Sequence, residues 1–300
     1  MKFTPITFSD FQHLKPYFDR QSHELCSYLL PGIIAWRNDS FEAFQTVSGD
    51  DLILSARVEG RSCLFLPLDP VDQIPPDRLQ DLSLDTGIPD FFPVPDQYLK
   101  YYGMNQVADL FHIEEMPKHS DYVYRVEDLA QLKGNIYSKK RNLINQFERK
   151  YLNEGRVAVA PITPADTVAC LEFLEEWCLS NDCDGEDKDE LACEKEAAKY
   201  TLKHLDALGS KGLLLRIDDE ICAFGIGARL TTDMGVLNFE KAFSDIKGLY
   251  QYFDRECARR LFAGFKYINK ENDMGEPGLQ KAKKSYHPVR IVKAYQLTLR

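Results

Sequence analysis

Residues 238–286 decide the fold of this chain, and they read NFEKAFSDIKGLYQYFDRECARRLFAGFKYINKENDMGEPGLQKAKKSY. The spacing of apolar and polar residues divides the stretch into six predicted pieces. In chain order these are a strand ending at Ala242, a loop over 244–248, an amphipathic helix over Leu249–Phe262, a strand from Tyr267, an acidic turn over 271–275 and a basic helix over Pro277–Tyr286. No other stretch sets so many carboxylate, amide, amine and phenol side chains beside backbone that must form a core. We therefore expect the functional site here.

The residues around this stretch complete a predicted second domain. Thr163 to Asp166 combines a hydroxyl cap, a proline and an acid, which is typical of a helix start. The Asp218-Asp219 pair predicts a hairpin turn. The predicted elements are a strand over 156–162, helices over 163–179 and 191–208 separated by an acidic linker at 182–190, strands over 213–217, 221–229 and 236–240, and a last strand over 289–299. Their order, β-α-α-β-β-β-α-β-α-β, is that of the acyl-CoA N-acyltransferase fold.

The first half of the chain predicts a degenerate copy of the same plan. Ser9 can cap a first helix, and Glu59-Gly60 supplies a two-residue hairpin turn. The other predicted elements are strands over 41–47, 52–58, 61–66, 109–114 and 121–126 and helices over 77–85 and 97–102. We therefore predict an α+β fold of two tandem acyl-CoA N-acyltransferase-like (GNAT-like) domains, residues 1–135 and 136–300. Each domain is expected to be a mixed, mostly antiparallel sheet flanked by helices.

The composition is that of a soluble globular protein. The chain has 300 residues, of which 44% are hydrophobic and 28% charged, and a net charge of −10. This charge disfavours general binding to polyanions, so any contact with nucleic acid must be local. The start of the chain lacks the apolar segment of a signal peptide, and the apolar run 29–36 is too short to span a bilayer. We expect a cytoplasmic protein without a transmembrane segment.

The eight cysteines are scattered, with no C-x-x-C pair, so we predict buried thiols and no metal site.

Three segments resemble the phosphatidylglycerol lysyltransferase C-terminal domain family. Residues 245–251 are similar to its D-x-x-I-K-G-x-Y-Q segment, with a shorter gap after the aspartate. Residues 269–288 resemble its N-R-E-x-D-x-G-x-x-G-L-x-x-A-K-x-S-Y-x-P segment, with Lys270 where arginine is usual, and residues 139–147 resemble its K-x-R-N-x-I-N-x-F helix. The resemblance covers most of the chain in order. It implies a tandem acyltransferase fold related to Fem-type peptidyltransferases.

The resemblance also implies a function. The expected reaction is transfer of an acyl or aminoacyl group to an amine or hydroxyl, with aminoacyl-tRNA or acyl-CoA as co-substrate and no tightly bound cofactor. The tRNA acceptor end is the expected macromolecular partner. The acceptor would be a small molecule, a peptide or a lipid headgroup. The membrane-embedded portion of the lipid-modifying enzymes is absent from this sequence.

Two groups of residues are candidates for binding the phosphates of the donor. The start of the helix after residue 248 presents free N–H groups that can bind an anion. Lys247 adds a positive charge there, and Gly248 lets the backbone approach a ligand closely. Gln251 adds a polar side chain at the edge of the same helix face. Basic side chains on two other predicted helices form the second group: Lys139, Lys140 and Arg141 on a long helix over 129–151, and Lys281 and Lys283. The alternative is that these residues form an ordinary helix start and solvated basic faces.

Acyl transfer needs a base for the attacking group and hydrogen-bond donors for the developing oxyanion. Asp245 and Glu271 are the candidates for proton handling, and Tyr250 is a candidate donor. The polar residues expected to hold the acceptor are Glu240, Asn269, Asp273 and Tyr286. For the two tyrosines a place in the core is the alternative. We expect two adjoining strands to part near Lys247 and the gap to hold a phosphate-bearing donor.

Two other functions stay open at this point. An acyl-CoA-dependent N-acyltransferase would fit the fold, but the Q/R-x-x-G-x-G/A loop that binds the CoA pyrophosphate is missing from the sequence. A non-catalytic binding module on the same fold is the third reading. The sequence carries neither a G-x-S-x-G nor a P-loop motif.

Overall fold

The computed structural model describes residues 1–58, 60–181, 183 and 189–300. These residues form fourteen strands: β1 (Thr4–Pro5), β2 (Phe41–Ser48), β3 (Asp51–Val58), β4 (Arg61–Leu64), β5 (Asp90–Pro95), β6 (Phe111–Glu115), β7 (Asp121–Arg125), β8 (Val157–Pro161), β9 (Lys211–Ile217), β10 (Glu220–Arg229), β11 (Met234–Ala242), β12 (Tyr267–Asn269), β13 (Arg290–Val292) and β14 (Ala294–Leu299). They also form eleven α-helices: α1 (Phe11–Phe18), α2 (Leu30–Ala35), α3 (Pro76–Thr86), α4 (Asp96–Tyr102), α5 (Met104–Ala108), α6 (Val126–Gln131), α7 (Ser138–Phe147), α8 (Thr167–Asn181), α9 (Asp189–Lys203), α10 (Leu249–Glu256) and α11 (Pro277–Lys284).

The strands form two seven-stranded sheets with helices packed against them. The first sheet has the order β1-β2-β3-β4-β5-β14-β6, and the second has the order β13-β7-β12-β11-β10-β9-β8. Most neighbours in both sheets are antiparallel, and among the described residues the parallel pairs are β4–β5 and β11–β12. The predicted α+β fold with two tandem GNAT-like, mostly antiparallel sheets is confirmed.

The two sheets exchange strands across the predicted domain boundary at residues 135 and 136. Strand β7 precedes the boundary but lies in the second sheet, between β12 and β13. Strand β14 ends the chain but lies in the first sheet, between β5 and β6. The buried core of the first half also includes Met234 and Val236 from β11. The boundary itself stays a prediction, and the strands show that the two halves interlock.

Local sequence signals gave several elements correctly. The β3–β4 hairpin is present, and Gly60 has the positive φ of 80° that its turn requires, while Glu59 lies outside the described residues. Asp218 and Asp219 form the β9–β10 turn with φ values of 51° and 70°. Thr163 and Asp166 form the capping box that precedes α8. These features depend on a few adjacent residues.

The long helix predicted over residues 129–151 is wrong. Helix α6 ends at Gln131, and the chain turns through Leu132 and Gly134, whose φ values are 49° and 89°. The guanidinium of Arg141 donates hydrogen bonds to the carbonyls of both turn residues, which fixes the bend. The bend buries Leu132 and leaves Ile136 60% exposed.

Two other local predictions need correction. The strand expected over 289–299 is two strands, because β13 pairs with β7 and β14 pairs with β5 and β6 in the other sheet. The cap of the first helical segment is Thr7 rather than Ser9, since Thr7 and Asp10 form the capping box there. Most of the acidic linker at 182–190 lies outside the described residues.

Two strand glycines allow the helix after β11 to pack closely on the second sheet. Helix α10 continues as a π-helical turn over Cys257–Leu261, which delivers the ring of Phe262 onto the sheet. A Cβ atom at Gly227 would lie 2.5 Å from that ring, and one at Gly235 would lie 2.6 Å from it. The missing side chains therefore position α10 and the residues that it carries.

Among the described residues, no helix has both the length and the apolarity that crossing a membrane requires.

Candidate functional site

Strands β11 and β12 run side by side at their first three residues and then part. Their pairing stops at Val236 and Asn269, after which β11 continues to Ala242 and the other chain turns away. A β-bulge in the pairing with β10 leaves Asn238 without a partner residue on that side. Two adjoining strands do part, as predicted, at Val236 and Asn269. That the parting lies near Lys247 and holds a phosphate-bearing donor stays a prediction. The opening is not empty, because two pairs of side chains bridge it.

The first bridge joins Lys270 to two carboxylates. Its Nζ lies 3.0 Å from Oε2 of Glu240 on β11 and 2.7 Å from Oδ1 of Asp254 on α10. Burial opposes the charge of Lys270, but the attraction of the two carboxylates outweighs it and raises the Lys270 pKa well above its usual value. Burial raises the pKa of Glu240 to about 7, against the pull of Lys270. Oε1 of Glu240 is buried and has no hydrogen-bond partner among the described residues.

The second bridge joins Asn238 to Glu271, the residue that follows Lys270. Asn238 donates a hydrogen bond of 3.1 Å to Oε1 of Glu271. Burial raises the pKa of Glu271 to about 8, with Lys283 opposing the shift and Asp121 adding to it. Glu271 also has a φ of 58°, which is uncommon for a residue other than glycine. Burial therefore raises the pKa of two neighbouring glutamates of the site well above the ordinary value of a carboxyl group.

A buried clasp fixes the backbone that carries Glu271. Asn269 is fully buried, donates to Asp121 at 2.7 Å and to the Glu24 carbonyl at 2.8 Å, and accepts from the Glu271 amide at 2.6 Å. Lys283 on α11 donates to the carbonyls of Lys270 and Asn272, both at 2.5 Å. Burial lowers the pKa of Lys283, and the charge of Glu271 resists this. Through these contacts Asn269 and Lys283 hold the backbone around Glu271 in place.

Asp273 shapes the turn that follows. Its carboxylate accepts hydrogen bonds from the Tyr122 hydroxyl at 2.6 Å, the Gly275 amide at 3.0 Å and the Gln280 amide at 3.2 Å. Burial opposes the charge of Asp273, but these hydrogen bonds outweigh it and lower its pKa. Asp273 therefore has a structural role, and its role in acceptor binding stays a prediction.

Tyr286 and Lys140 close the charged cluster from the side of α7 and α11. Nζ of Lys140 lies 3.8 Å above the ring of Tyr286 and donates to Oγ of Ser285 at 2.7 Å. Burial and then the negative charge of Asp254 raise the pKa of the Tyr286 phenol well above its usual value. Nζ of Lys270 lies 5.5 Å from the same ring. The structure thus brings Lys140 and Tyr286 to the cluster around Lys270.

The loop and helix start at 244–251 lie differently from what the sequence indicated. Asp245 and Lys247 are exposed, and Gln251 is half-buried. Gly248 has a φ of 85°. A Cβ atom added to this glycine would collide with the Leu143 carbonyl and would lie 3.1 Å from the Cβ atom of Phe147. Helix α7 therefore packs against this glycine. A role of this helix start in binding phosphate stays a prediction.

Tyr250 is largely buried beside the backbone of Ala242 and the indole of Trp177, and burial raises its pKa to about 12. Of the basic candidates, Lys139 and Lys281 are exposed, whereas Arg141 holds the turn before α7.

Sequence reasoning gave little weight to two residues of the cluster and missed two others. Asp254 and Lys270 are not among the predicted site residues, although they form the shorter ion pair of the first bridge. Asn238 and Asp121 were missed. The period of two along β11 places Asn238 on the same face as Glu240, and this spacing was the available signal. Nothing local marked Asp121, which reaches the site from β7.

Comparison with known proteins places this arrangement in context. The model of a family described as phosphatidylglycerol lysyltransferase, C-terminal, matches residues 33–298. A conserved protein of unknown function from Bacteroides thetaiotaomicron has a solved structure with a TM-score of 0.88 and 27% identity, covering 100% of both chains. The C-terminal domain of a protein described as a lysylphosphatidylglycerol synthetase, from Agrobacterium fabrum, has a TM-score of 0.65 and 13% identity, covering 97% of this chain and 92% of that one.

A curated relative is an uncharacterized protein of Mycoplasmoides gallisepticum. It is 26% identical over 180 residues, which is 59% of this chain and 55% of the relative. The chain therefore matches about half the length of this relative.

Proposed function

Because the chain belongs to the phosphatidylglycerol lysyltransferase C-terminal family, we propose that it is an aminoacyltransferase that moves an aminoacyl group from aminoacyl-tRNA to an amine or hydroxyl acceptor. The observation that carries the proposal is the pair of buried glutamates where β11 and β12 part. Glu240 has a pKa raised to about 7 and Glu271 a pKa raised to about 8. A base of this strength accepts a proton efficiently near neutral pH.

The reaction has a simple balance of atoms. The acceptor nitrogen or oxygen attacks the carbonyl carbon that is esterified to the terminal ribose of the tRNA. A new amide or ester bond forms, the ester to the ribose breaks, and the proton lost by the acceptor goes to a glutamate and then to the ribose oxygen. No redox step or additional reactant is required.

The side chains of the cluster divide this work. Glu271 is the proposed base, because it combines a raised pKa with a positive φ that its fixed neighbours maintain. Glu240 has a buried oxygen without a hydrogen-bond partner among the described residues, which suits it to hold the amino group of a substrate. Asp245 is exposed and Tyr250 is largely buried, so we assign the proton transfer to Glu271 rather than to them.

The exposed cations around the cluster are the proposed contacts to the tRNA backbone. Lys139, Lys247 and Lys281 are all exposed, on α7, on the loop before α10 and on α11. Lysines at such places bind phosphate as point charges, and their effect weakens as salt rises. This contact is local, in keeping with the net charge of −10.

The test is a transfer assay with charged tRNA. Each labelled aminoacyl-tRNA is incubated with the protein and a panel of amines, peptides and lipid headgroups, and both ester loss and labelled product are measured. We expect product with at least one pair, at a rate that rises with pH through about 7 to 8 as the glutamates lose their protons. Glu271→Gln should lower the rate by a factor of about 100 or more, while Glu172→Gln, an exposed glutamate on α8, should not.

A parallel arm separates the competing functions. Acetyl-CoA and longer acyl-CoA thioesters replace the tRNA, and release of free CoA thiol is measured. Release with the acyl-CoA arm alone would overturn the tRNA donor and establish an acyl-CoA-dependent enzyme. No turnover in either arm, together with binding of a substrate, would establish a non-catalytic module.

A further inference from the structure

A cavity of about 470 Å³ lies at the other end of β11 from the charged cluster. Its walls come from both halves of the molecule: the segment after α1, helix α4 and the turn that joins β10 to β11. The cavity has the size of typical small-molecule sites, which run from about 300 to 1,000 Å³. Because Met234 begins β11 beside this turn and Glu240 lies near its other end, the cavity is separate from the proposed reaction site.

Hydrogen bonds within each half, and one between the halves, hold the walls in place. The buried side chain of Gln21 donates to the Leu230 carbonyl at 2.8 Å and accepts from the His23 amide at 2.5 Å. Oγ1 of Thr231 donates to Oδ1 of Asp233 at 3.1 Å. The backbone carbonyl of Asp233 accepts from two amides of the loop before β12, at 2.9 and 3.0 Å. The turn is therefore shaped before any ligand arrives.

The lining presents one cation and one anion that form no ion pair among the described residues, although Arg20 also donates to the Pro16 carbonyl at 3.2 Å and lies 5.4 Å from the centre of the Tyr17 ring. Arg20 and Asp233 are both exposed, and neither has a salt-bridge partner among the described residues. Glu24 also lines the cavity, but its carboxylate is taken by Arg290, at 2.5 and 3.0 Å. A ligand with one negative and one positive group would meet both of the charges that lack an ion-pair partner among these residues.

Gln97 adds a demand for a hydrogen-bond donor. It lines the cavity from α4, and its Oε1 atom is buried without a hydrogen-bond partner among the described residues. Leaving such an atom unsatisfied costs free energy that a ligand N–H group would recover. The ring of Tyr101, 60% exposed, stands at the same wall and offers apolar area.

We propose that this cavity binds a small zwitterion, a free α-amino acid, with its carboxylate at Arg20 and its ammonium at Asp233 and the Gln97 amide. The proposal is independent of the transfer reaction. It concerns a different end of β11, and its test requires no turnover.

Isothermal titration calorimetry of the full chain with the standard L-α-amino acids tests the site. We expect at least one to bind. Its α-amide, which lacks the carboxylate, and its deaminated acid, which lacks the ammonium, should bind at least about tenfold more weakly, because each loses a charge-assisted hydrogen bond. Binding of no amino acid, or binding of both analogues as tightly as the amino acid itself, would overturn the proposal.

Three variants assign the contacts. Arg20→Gln, Asp233→Asn and Gln97→Leu should each weaken binding about tenfold. Gln97→Leu should also leave the melting temperature unchanged or raised, since it removes an unsatisfied buried atom. The matched controls are Arg61→Gln and Asp85→Asn, both exposed and outside the cavity, which should bind like the wild type. Wild-type affinity in all three cavity variants would place the ligand elsewhere and refute the site.

Discussion

Lys270 carries a charge that its surroundings need for stability. Two carboxylates lie within 3.0 Å of its Nζ, and all three groups are largely shielded from solvent. The variant Lys270→Met leaves Glu240 and Asp254 close together without a cation. We expect the free energy of unfolding to fall by about 3 kcal/mol or more, as measured by urea denaturation.

Two companion variants make this prediction specific. Lys270→Arg keeps the charge, and the related family segment usually has arginine there, so its loss should be clearly smaller. Lys270→Met combined with Glu240→Gln removes one charge of each sign and should recover part of the stability. If Lys270→Met alone and Lys270→Met combined with Glu240→Gln were equally unstable, the charge argument would fail and lost packing would be the cause.

Glu271 should make the folded protein less stable as pH rises. In the folded state its pKa is raised to about 8, whereas an unfolded chain has glutamates near about 4.3. Between these values the folded state holds more protons, so stability falls with increasing pH across this window. Glu271→Gln removes that loss, and between roughly pH 6 and roughly pH 9 it should gain about 2 kcal/mol relative to the wild type.

Urea denaturation at several pH values checks this slope. Glu172→Gln is the matched control on α8, because its side chain is exposed, and it should follow the wild type at every pH. Parallel curves for Glu271→Gln and the wild type would contradict the raised pKa.

At the scale of elements, the second sheet and α10 meet through glycine. Gly227→Ala would place a methyl group 2.5 Å from the ring of Phe262 and 2.6 Å from the Val236 carbonyl oxygen, so both the ring and the strand backbone must move. We expect a loss of about 1–3 kcal/mol, measured by thermal or urea unfolding. Gly278→Ala is the control, because a Cβ atom there meets nothing within 4 Å. A neutral Gly227→Ala variant would contradict the close packing of Phe262 and the Val236 carbonyl around this glycine.

Elements that depend on adjacent residues could be predicted from the sequence. The turns at Gly60 and Asp218-Asp219 and the cap at Thr163 follow from local backbone preferences. The break at Leu132 could not be predicted, because it depends on hydrogen bonds from Arg141, nine residues later. The helical spacing of residues 129–151 was real, but the bend buries Leu132 and leaves Ile136 60% exposed, so periodicity alone did not decide the structure.

The candidate site was predictable in the same measure. Glu240, Asn269, Glu271, Asp273, Lys283 and Tyr286 converge as a group, because they follow one another along the segment that the sequence marked. Asp121 joins through a strand crossing, which no local pattern reveals, whereas the period of two along β11 was a usable signal for Asn238. The exposed positions of Asp245 and Lys247 likewise depend on how α7 packs against Gly248.

At the scale of the whole molecule, the exchange of strands should prevent the halves from folding separately. A fragment of residues 136–300 lacks β7, which pairs with both β12 and β13 in the second sheet. It would also carry β14 without the strands that β14 pairs with. We expect this fragment to lack fixed tertiary structure in near-UV circular dichroism and to exchange its amide hydrogens quickly.

The full chain is the control for this experiment. It should unfold in a single transition, and the amide hydrogens of β5 and β12 should exchange at similar rates. Adding residues 1–135 as a separate chain should restore protection if the two parts assemble. A fragment 136–300 that is well folded alone would show that β7 is dispensable.

Strand β14 has a consequence for the order in which the protein is made. The first sheet is left in two parts, β1 to β5 and β6, until residues 294–299 fill the place between them. Translation delivers these residues after all other described strands, so the earliest-made sheet is finished last. During synthesis the facing edges of β5 and β6 therefore lack their partner strand, and we expect them to be the places where nascent copies pair with each other if completion is slow.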